Sequence, residues 1–406
     1  MDAASSTALP VPEPNLTADQ MVARAAAMRP ILRERQPATE AAGRMLDETN
    51  ADFLKHGFYR ALQPGRFGGY EYSLRDFIRI MAEIARGCPS SGWALALTSG
   101  HPHMLSHFPE EAQREVYGAT GDVRSPARPV PGGQAEPTEG GFLVSGMWDY
   151  VSNCDHATHF VGTVVVAGSN PPRLISVILE RSAFAITDNW NVVGLRGTGS
   201  KRITAERVFV PTHRTITAPG TSAELAPGFG THRNPLYSGS FFPLLFFEIG
   251  AVAIGIAQGA LDLYEDAVRT KKTDVPPFTP RAEQVQYQHH LGKAIGMIDL
   301  AEAALLSASD RYMAEATRAV ESRHHVDEGG EEARRILLIE QQVVSIAGEV
   351  VELLFRTSGT SGARVGSPLA NALMAISVMR THMGLQGDRT MENVGRLRLG
   401  LQPGFL

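Results

Sequence analysis

The apolar positions of this chain keep a helical rhythm, lose it, and regain it. Residues 17–120 carry apolar side chains at three- and four-residue spacing. A cap at Leu16-Thr17-Ala18-Asp19 opens the pattern, which continues through Ala41 and Leu54. A glycine-rich turn spans Gly57 to Tyr70. A helix is predicted over Ser73–Arg86, a more apolar one over Ser91–His107, and a short last one opened by Pro109. From about residue 121 the rhythm shortens. Apolar runs at Phe142–Val144, His159–Val166, Leu174–Leu179 and Val208–Val210, punctuated by Gly and Pro, predict strands up to about Ala218. Residues 218–240 are rich in Pro, Gly and Ser and are expected to be a lid-like loop. Long helical patterns then cover about 243–270, 281–318, 330–358 and 367–384, the second and third separated by the polar stretch Glu321–Glu332. The pattern predicts an α+β chain in three parts: an N-terminal helical domain over 1–120, a β domain over 121–217, and a helical bundle over 218–406.

Composition narrows the class. A chain of 406 residues with 43% hydrophobic and 20% charged residues is an ordinary soluble enzyme in size and make-up. Its net charge of -5, with no basic run, speaks against nucleic acid as a partner. The two cysteines, Cys88 and Cys154, form no disulfide framework and suit a reducing, cytoplasmic setting. The first 20 residues lack the basic and apolar regions of a leader and are expected to be a mobile arm. Phe241–Leu261 is long and apolar enough to span a membrane, but it contains Pro243, Glu248 and Gln258. Its small residues Gly250, Ala253, Ala257 and Ala260 suit close helix packing, so a buried bundle helix is expected and no membrane partner. Bundle segments such as Ile336–Leu354 are apolar on more than one face, which predicts a homotetramer built on helix contacts.

Two blocks carry candidate chemistry. The first is Gly141-Phe-Leu-Val-Ser-Gly-Met-Trp148-Asp-Tyr-Val-Ser152-Asn153-Cys-Asp-His156. Ser152 follows a strand and could offer a hydroxyl and a backbone N–H to a ligand; a plain strand-ending turn has the same composition. The second is Trp190-Asn-Val-Val-Gly194-Leu-Arg196-Gly197-Thr198-Gly199-Ser200-Lys201. Its glycine spacing is not that of a dinucleotide fingerprint. Arg196, Thr198 and Ser200 could donate to phosphate or ring oxygens, or the glycines could serve close packing alone. Among the histidines, His101 closes the apolar Ser90-Ser-Gly-Trp93 helix, with His103 and His107 beside it, and His382 closes the helix that begins at Pro368. Neither His103/His107 nor His156/His159 has a third partner in view, so no metal site is expected.

Together the two blocks resemble the middle domain of the acyl-CoA dehydrogenase fold. In detail they resemble its oxygen-using branch, the two-component flavin monooxygenases of the phenol, 4-hydroxyphenylacetate and dibenzothiophene types. That resemblance implies an N-terminal helical domain, a middle β-barrel or sandwich, and a C-terminal four-helix bundle. It implies reduced FMN or FAD as cofactor, O2 as co-substrate, a separate NAD(P)H:flavin reductase, and reaction through a C4a-hydroperoxide with a small, phenolic substrate; oxygenation at nitrogen or sulfur also occurs in the branch. By the same resemblance Ser152 would bond flavin N5, Trp148 would border the ring, and Arg196, Thr198 and Ser200 would line the flavin cleft. His101 would stand by the reactive flavin carbon, and His382, fourteen residues after Pro368, would serve as acid or base at the substrate. There are departures. Asn153 stands where glycine is usual, and Asn371, Met374 and Ala375 stand where Arg and Arg-Asp are usual.

Two other readings stay open. An acyl-CoA dehydrogenase or oxidase would need a carboxylate base. Glu248 lies about one turn from the expected position, and Thr357-Ser-Gly-Thr-Ser361 replaces the other glutamate-bearing loop. Lys271–Pro280 likewise lacks the Arg-x-x-Phe-Gly run that holds the adenosine half of FAD. The third reading is a scaffold of this fold without flavin.

Overall fold

The computed structural model describes residues 8–221, 225–324 and 326–404. Six helices come first: α1 (Ala18–Ala42), α2 (Asp47–His56), α3 (Leu74–Gly87), α4 (Pro89–Gly100), α5 (Pro102–Leu105) and α6 (Glu110–Tyr117). Thr17 caps α1 in a reciprocal box with Gln20. The helix expected over Ser91–His107 is broken at His101, because Pro102 has no N–H to continue it. The expected N-terminal arm lies partly outside the described residues. From Leu9 onward it is tethered: Leu9 N–H bonds Arg66 O at 2.9 Å, and Tyr72 donates to Leu16 O at 2.7 Å.

Seven strands follow: β1 (Ala127–Thr138), β2 (Gly141–Val151), β3 (His159–Val166), β4 (Leu174–Glu180), β5 (Ala185–Thr187), β6 (Lys201–Pro211) and β7 (Thr215–Thr217). They form one mixed sheet in the order β5-β6-β2-β1-β3-β4-β7. This sheet is the expected middle β domain. The pairing is antiparallel except between β1 and β3, and among the described residues β5 and β7 remain its two edges. Its apolar face is a core of its own, centred on Val144, Trp148, Phe160, Val177 and Ile203.

The bundle contains α7 (Phe241–Thr270), α8 (Val285–Ser322), α9 (Glu331–Thr357) and α10 (Pro368–Met379), with an unexpected α11 (Asp388–Arg398) against α9. Helix α10 ends three residues before His382, which caps a turn instead of closing the helix. The two helical regions share one continuous core, in which Phe53, Phe77 and Met81 join Leu244, Phe247 and Val351. Helix α7 is the apolar segment with the length of a membrane span. It is wrapped by α3, α4, α8, α9 and α10. Close packing explains its small residues: a Cβ on Gly255 would lie 2.2 Å from Ala82 O of α3. The segment expected to be a lid has residues 222–224 outside the described set. Its later part is bonded to turns of the N-terminal helical region, with Gly228 N–H on His107 O at 3.0 Å and Tyr237 Oη donating to Leu62 O at 2.9 Å.

Gly255→Ala forces a methyl into the α3–α7 contact and is expected to lower unfolding free energy by about 1–3 kcal/mol. Gly292→Ala, on α8 with nothing within 4 Å of the added Cβ, is expected to raise it by up to about 1 kcal/mol. Urea unfolding midpoints compare the two.

Candidate functional site

Strand topology brings the two sequence blocks together. Strands β2 and β6 are antiparallel neighbours, with Val151 opposite Lys201. The next residue of one and the preceding residue of the other are Ser152 and Ser200, and their Oγ atoms lie 2.8 Å apart. Ser200 Oγ is 2.7 Å from Thr198 Oγ1, and Thr198 donates to Leu195 O at 2.9 Å. From the other side the indole N–H of Trp93 donates to Ser152 Oγ at 2.9 Å. Ser152, Thr198 and Ser200 are therefore one buried hydrogen-bonded row, joined to α4.

Helix α4 is buried almost all round, Leu97 alone among its residues being half-buried. Such a helix must satisfy its polar side chains internally. Trp93 reaches Ser152. Thr98 accepts from Asn153 Nδ2 at 3.0 Å and donates to Ala94 O at 2.7 Å. Asn153 has φ 58° and ψ 23°, the left-handed region that favours glycine and next tolerates asparagine. The departure from glycine thus keeps the backbone angle and adds a side-chain tie to α4.

The glycines of the second block serve as a junction. A Cβ on Gly194 would lie 2.3 Å from Met374 O of α10, and one on Gly197 would lie 2.4 Å from Thr39 of α1. Met374 and Ala375, two of the departures in α10, sit at this contact. The Glu40 carboxylate accepts from Ser90 Oγ and from Arg196 N–H, closing α1 over the block.

Two predicted residues fall elsewhere. Trp148 is 1% exposed, and Gly132, Gly146 and Gly162 all lie within contact of its indole, whose N–H bonds Thr163 O at 3.0 Å. It fills the sheet core and does not border a cleft. A register shift between Trp148 and Val151, with Tyr150 at φ 66°, breaks the two-residue alternation that would have put Trp148 and Ser152 on one face. Arg196 keeps an exposed side chain outside the buried row.

Both candidate histidines are neutral at neutral pH, because burial pulls each down to about 4; at His382 the Arg128 charge adds to this. Their tautomers are opposite. His101 Nδ1 faces Ser125 O at 2.9 Å and must carry the proton, leaving Nε2 as an acceptor. His382 Nδ1 faces Gly384 N–H at 3.3 Å and must be bare, so its Nε2–H is a donor. The His382 ring lies 6.2 Å from Trp93 and 6.2 Å from Phe246, in an aromatic enclosure next to Ser152. His101 stands eight residues beyond Trp93, roughly 12 Å along the helix axis.

Sequence reasoning missed the partner of His101. Glu248 Oε2 of α7 lies 3.8 Å from His101 Nε2, in the space that Gly100 leaves by having no side chain. Glu248 is 1% exposed, and among the described residues neither carboxyl oxygen has a hydrogen-bond partner. Burial pushes its pKa well above the usual carboxylate range, so it holds a proton. The contact is a neutral acid beside a neutral imidazole, not an ion pair. Also missed was Arg128 on β1, whose guanidinium lies over the Tyr150 ring at 5.7 Å and whose charge reaches His382. The other histidines have partners of their own: His103 Nε2 is 3.2 Å from Tyr312 Oη, and His156 Nε2 is 3.0 Å from Met45 O.

This architecture has known counterparts. Residues 17–119 match the acyl-CoA dehydrogenase N-terminal domain and residues 247–387 the acyl-CoA dehydrogenase C-terminal domain. The flavin-dependent monooxygenase oxygenase subunit HsaA of Mycobacterium tuberculosis is 30% identical over 92% of this chain and 94% of its own length. The crystal structure of the M. tuberculosis HsaA monooxygenase superposes with a TM-score of 0.85 at 27% identity, covering 96% of this chain and 99% of that one. The HsaA oxygenase subunit of Rhodococcus jostii is 37% identical over a shorter stretch, 59% of this chain and 63% of its own length. The FADH2-dependent resorcinol hydroxylase oxygenase component of Rhizobium is 29% identical over 95% of each chain.

Asn153→Ala loses the Thr98 bond and strains the left-handed backbone, and is expected to unfold at lower urea than Asn153→Gly, which keeps the angle. Glu248→Gln tests the buried acid. A carboxyl with a raised folded pKa contributes stability that is full below its unfolded value of 4.5 and is lost as pH rises toward the folded one. Glutamine has no proton to lose. The melting temperature of Glu248→Gln minus that of wild type should therefore be larger at about pH 8 than at about pH 5. A flat difference places Glu248 in the charged state throughout.

Proposed function

The chain belongs to the flavin-dependent monooxygenases, as an oxygenase subunit on the acyl-CoA dehydrogenase fold, and from that we propose that it hydroxylates a small phenolic substrate. Reduced FMN or FAD, when bound, supplies the two electrons with which O2 gives one oxygen atom to substrate and one to water. The relatives are named as oxygenase subunits or components, which supports a separate NAD(P)H:flavin reductase as partner. One of them is a resorcinol hydroxylase, and a phenol is electron-rich enough to accept an electrophilic oxygen.

The observation that carries this reading is the buried row ending at Ser152 beside the Trp93–Phe246–His382 enclosure. We assign Ser152 to the flavin N5 edge, Thr198, Ser200 and Asn153 to holding that serine and its turn, and the exposed Arg196 to the cofactor's phosphate. His382, with Nε2–H directed outward from its capped turn, would hold a phenol oxygen by donating to it and favour the phenolate. His101, as an acceptor backed by the protonated Glu248, would hold a proton near the oxygen-reacting edge. The apolar enclosure keeps water from the reacting centre. Outward-facing Val285 and Leu300 of α8, 76% and 63% exposed, suit burial in a homotetramer. The free, buried Cys88 and Cys154 suit the cytoplasm.

A dehydrogenase reading meets two obstacles. Glu248 is held neutral and cannot act as the base without first losing its proton. After α9 the chain offers the hydroxyls of Ser358, Thr360 and Ser361 where a carboxylate is needed.

The protein charged anaerobically with reduced FMN or FAD, then mixed with heavy-isotope O2 and resorcinol or related phenols, should yield product carrying one labelled oxygen atom. Reduction of protein-bound flavin by an acyl-CoA, with no labelled product, would reverse the assignment in favour of dehydrogenation; no flavin binding would leave a scaffold. His382→Leu is expected to lower product formed per O2 consumed, with kcat falling on the order of 100-fold or more.

A further inference from the structure

The row at the site has a fixed proton order, because each end can act in one way only. Trp93 Nε1 is a donor without acceptor capacity, and it points at Ser152 Oγ. Leu195 O is an acceptor without a proton, and Thr198 Oγ1 reaches it at 2.9 Å. Thr198 therefore spends its proton on Leu195. Ser200, 2.7 Å from Thr198, must then donate to Thr198. Ser152, 2.8 Å from Ser200, must in turn donate to Ser200. Every hydroxyl proton in the row is committed. Ser152 retains one uncommitted lone pair and no hydrogen to give.

That lone pair matters for redox selection. Flavin N5 bears a hydrogen in the reduced state and a bare lone pair in the oxidised state. Resting on the assignment of Ser152 to N5 made above, we propose that Trp93, Ser200 and Thr198 are positioning residues that fix Ser152 as an acceptor, so that the site takes reduced flavin in preference to oxidised flavin. Reduced N5–H meets a lone pair; oxidised N5 meets lone pair against lone pair. The preference arises from the order of protons in the row and needs no charged group. An oxygenase that receives its flavin already reduced and must release it oxidised benefits from that order in both directions.

The test is the ratio of dissociation constants for oxidised and reduced FMN and FAD, the reduced forms measured anaerobically, in wild type, Ser200→Ala, Ser200→Thr and Thr198→Val. In Ser200→Ala the Ser152 proton is released and can turn to oxidised N5. One hydrogen bond is worth about a factor of ten in affinity, so the oxidised/reduced ratio should fall about tenfold. Thr198→Val releases the Ser200 proton and, through it, that of Ser152, so it should act in the same direction if Ser200→Ala folds poorly. Ser200→Thr keeps the hydroxyl and should keep the wild-type ratio. Equal weakening of both flavins in Ser200→Ala and Thr198→Val, with the ratio unchanged, overturns the proposal and leaves the flavin assignment standing. Failure of wild type to bind either flavin overturns both.

Discussion

Burial of α4 is the constraint on which the site depends. A helix with apolar neighbours on almost every side gains from the hydrophobic effect only if its few polar side chains find partners inside the protein. Trp93 and Thr98 lie along that helix and His101 caps its end, and their partners are Ser152, Asn153 and Ser125 of the β domain or its approach. Satisfying the helix therefore docks the sheet, and docking the sheet places the ends of β2 and β6 against the bundle. The glycines of the second block complete the contact by letting backbone approach backbone at α1 and α10. Fold stability and site geometry are the same set of contacts here.

The same burial sets the electrostatics. Among the described residues no arginine or lysine shifts the His101–Glu248 pair, and the shifts there come from lost hydration, with the Ser125 carbonyl bond opposing it at His101. Two imidazoles that are both neutral differ in what they can do because different backbone groups hold their Nδ1 atoms. A carbonyl at His101 makes Nε2 an acceptor; an N–H at His382 makes Nε2 a donor. The difference between the two rings follows from backbone placement; the Arg128 charge lowers the His382 pKa further but does not choose its tautomer.

Much of this was legible in the sequence, for reasons that can be named. The helices of the bundle announce themselves by long periodic patterns. The two blocks are contiguous runs whose glycines and hydroxyls are needed side by side, so they survive as readable motifs. Less legible were features decided by a break in local regularity. Pro102 ends the helix at His101. The bulge beyond Trp148 reverses strand parity, so that Trp148 joins the sheet core while Ser152 turns to α4. The closing of His101 on Glu248 was illegible for a different reason: the two are 147 positions apart, and the signal for their contact is the missing side chain of Gly100. Arg128 sits in a strand with no motif around it.

Glu248 shows how one fold separates two chemistries. A carboxyl on the first bundle helix is what a dehydrogenase of this fold would use, as an anion, at the substrate. In this chain the carboxyl turns instead toward α4, where Gly100 admits it and its two oxygens find no donor among the described residues. An anion there would lack both hydration and a counter-charge, and the lower-energy state keeps the proton. The nearby basic atom is then His101 Nε2, itself too poorly solvated to be charged. A base for carbon acids is thereby lost, and what stands in its place is an uncharged carboxyl beside an uncharged imidazole. The carboxyl that looks most like a dehydrogenase residue in the sequence is, by its surroundings, unavailable as an anionic base, and so becomes an argument against dehydrogenation.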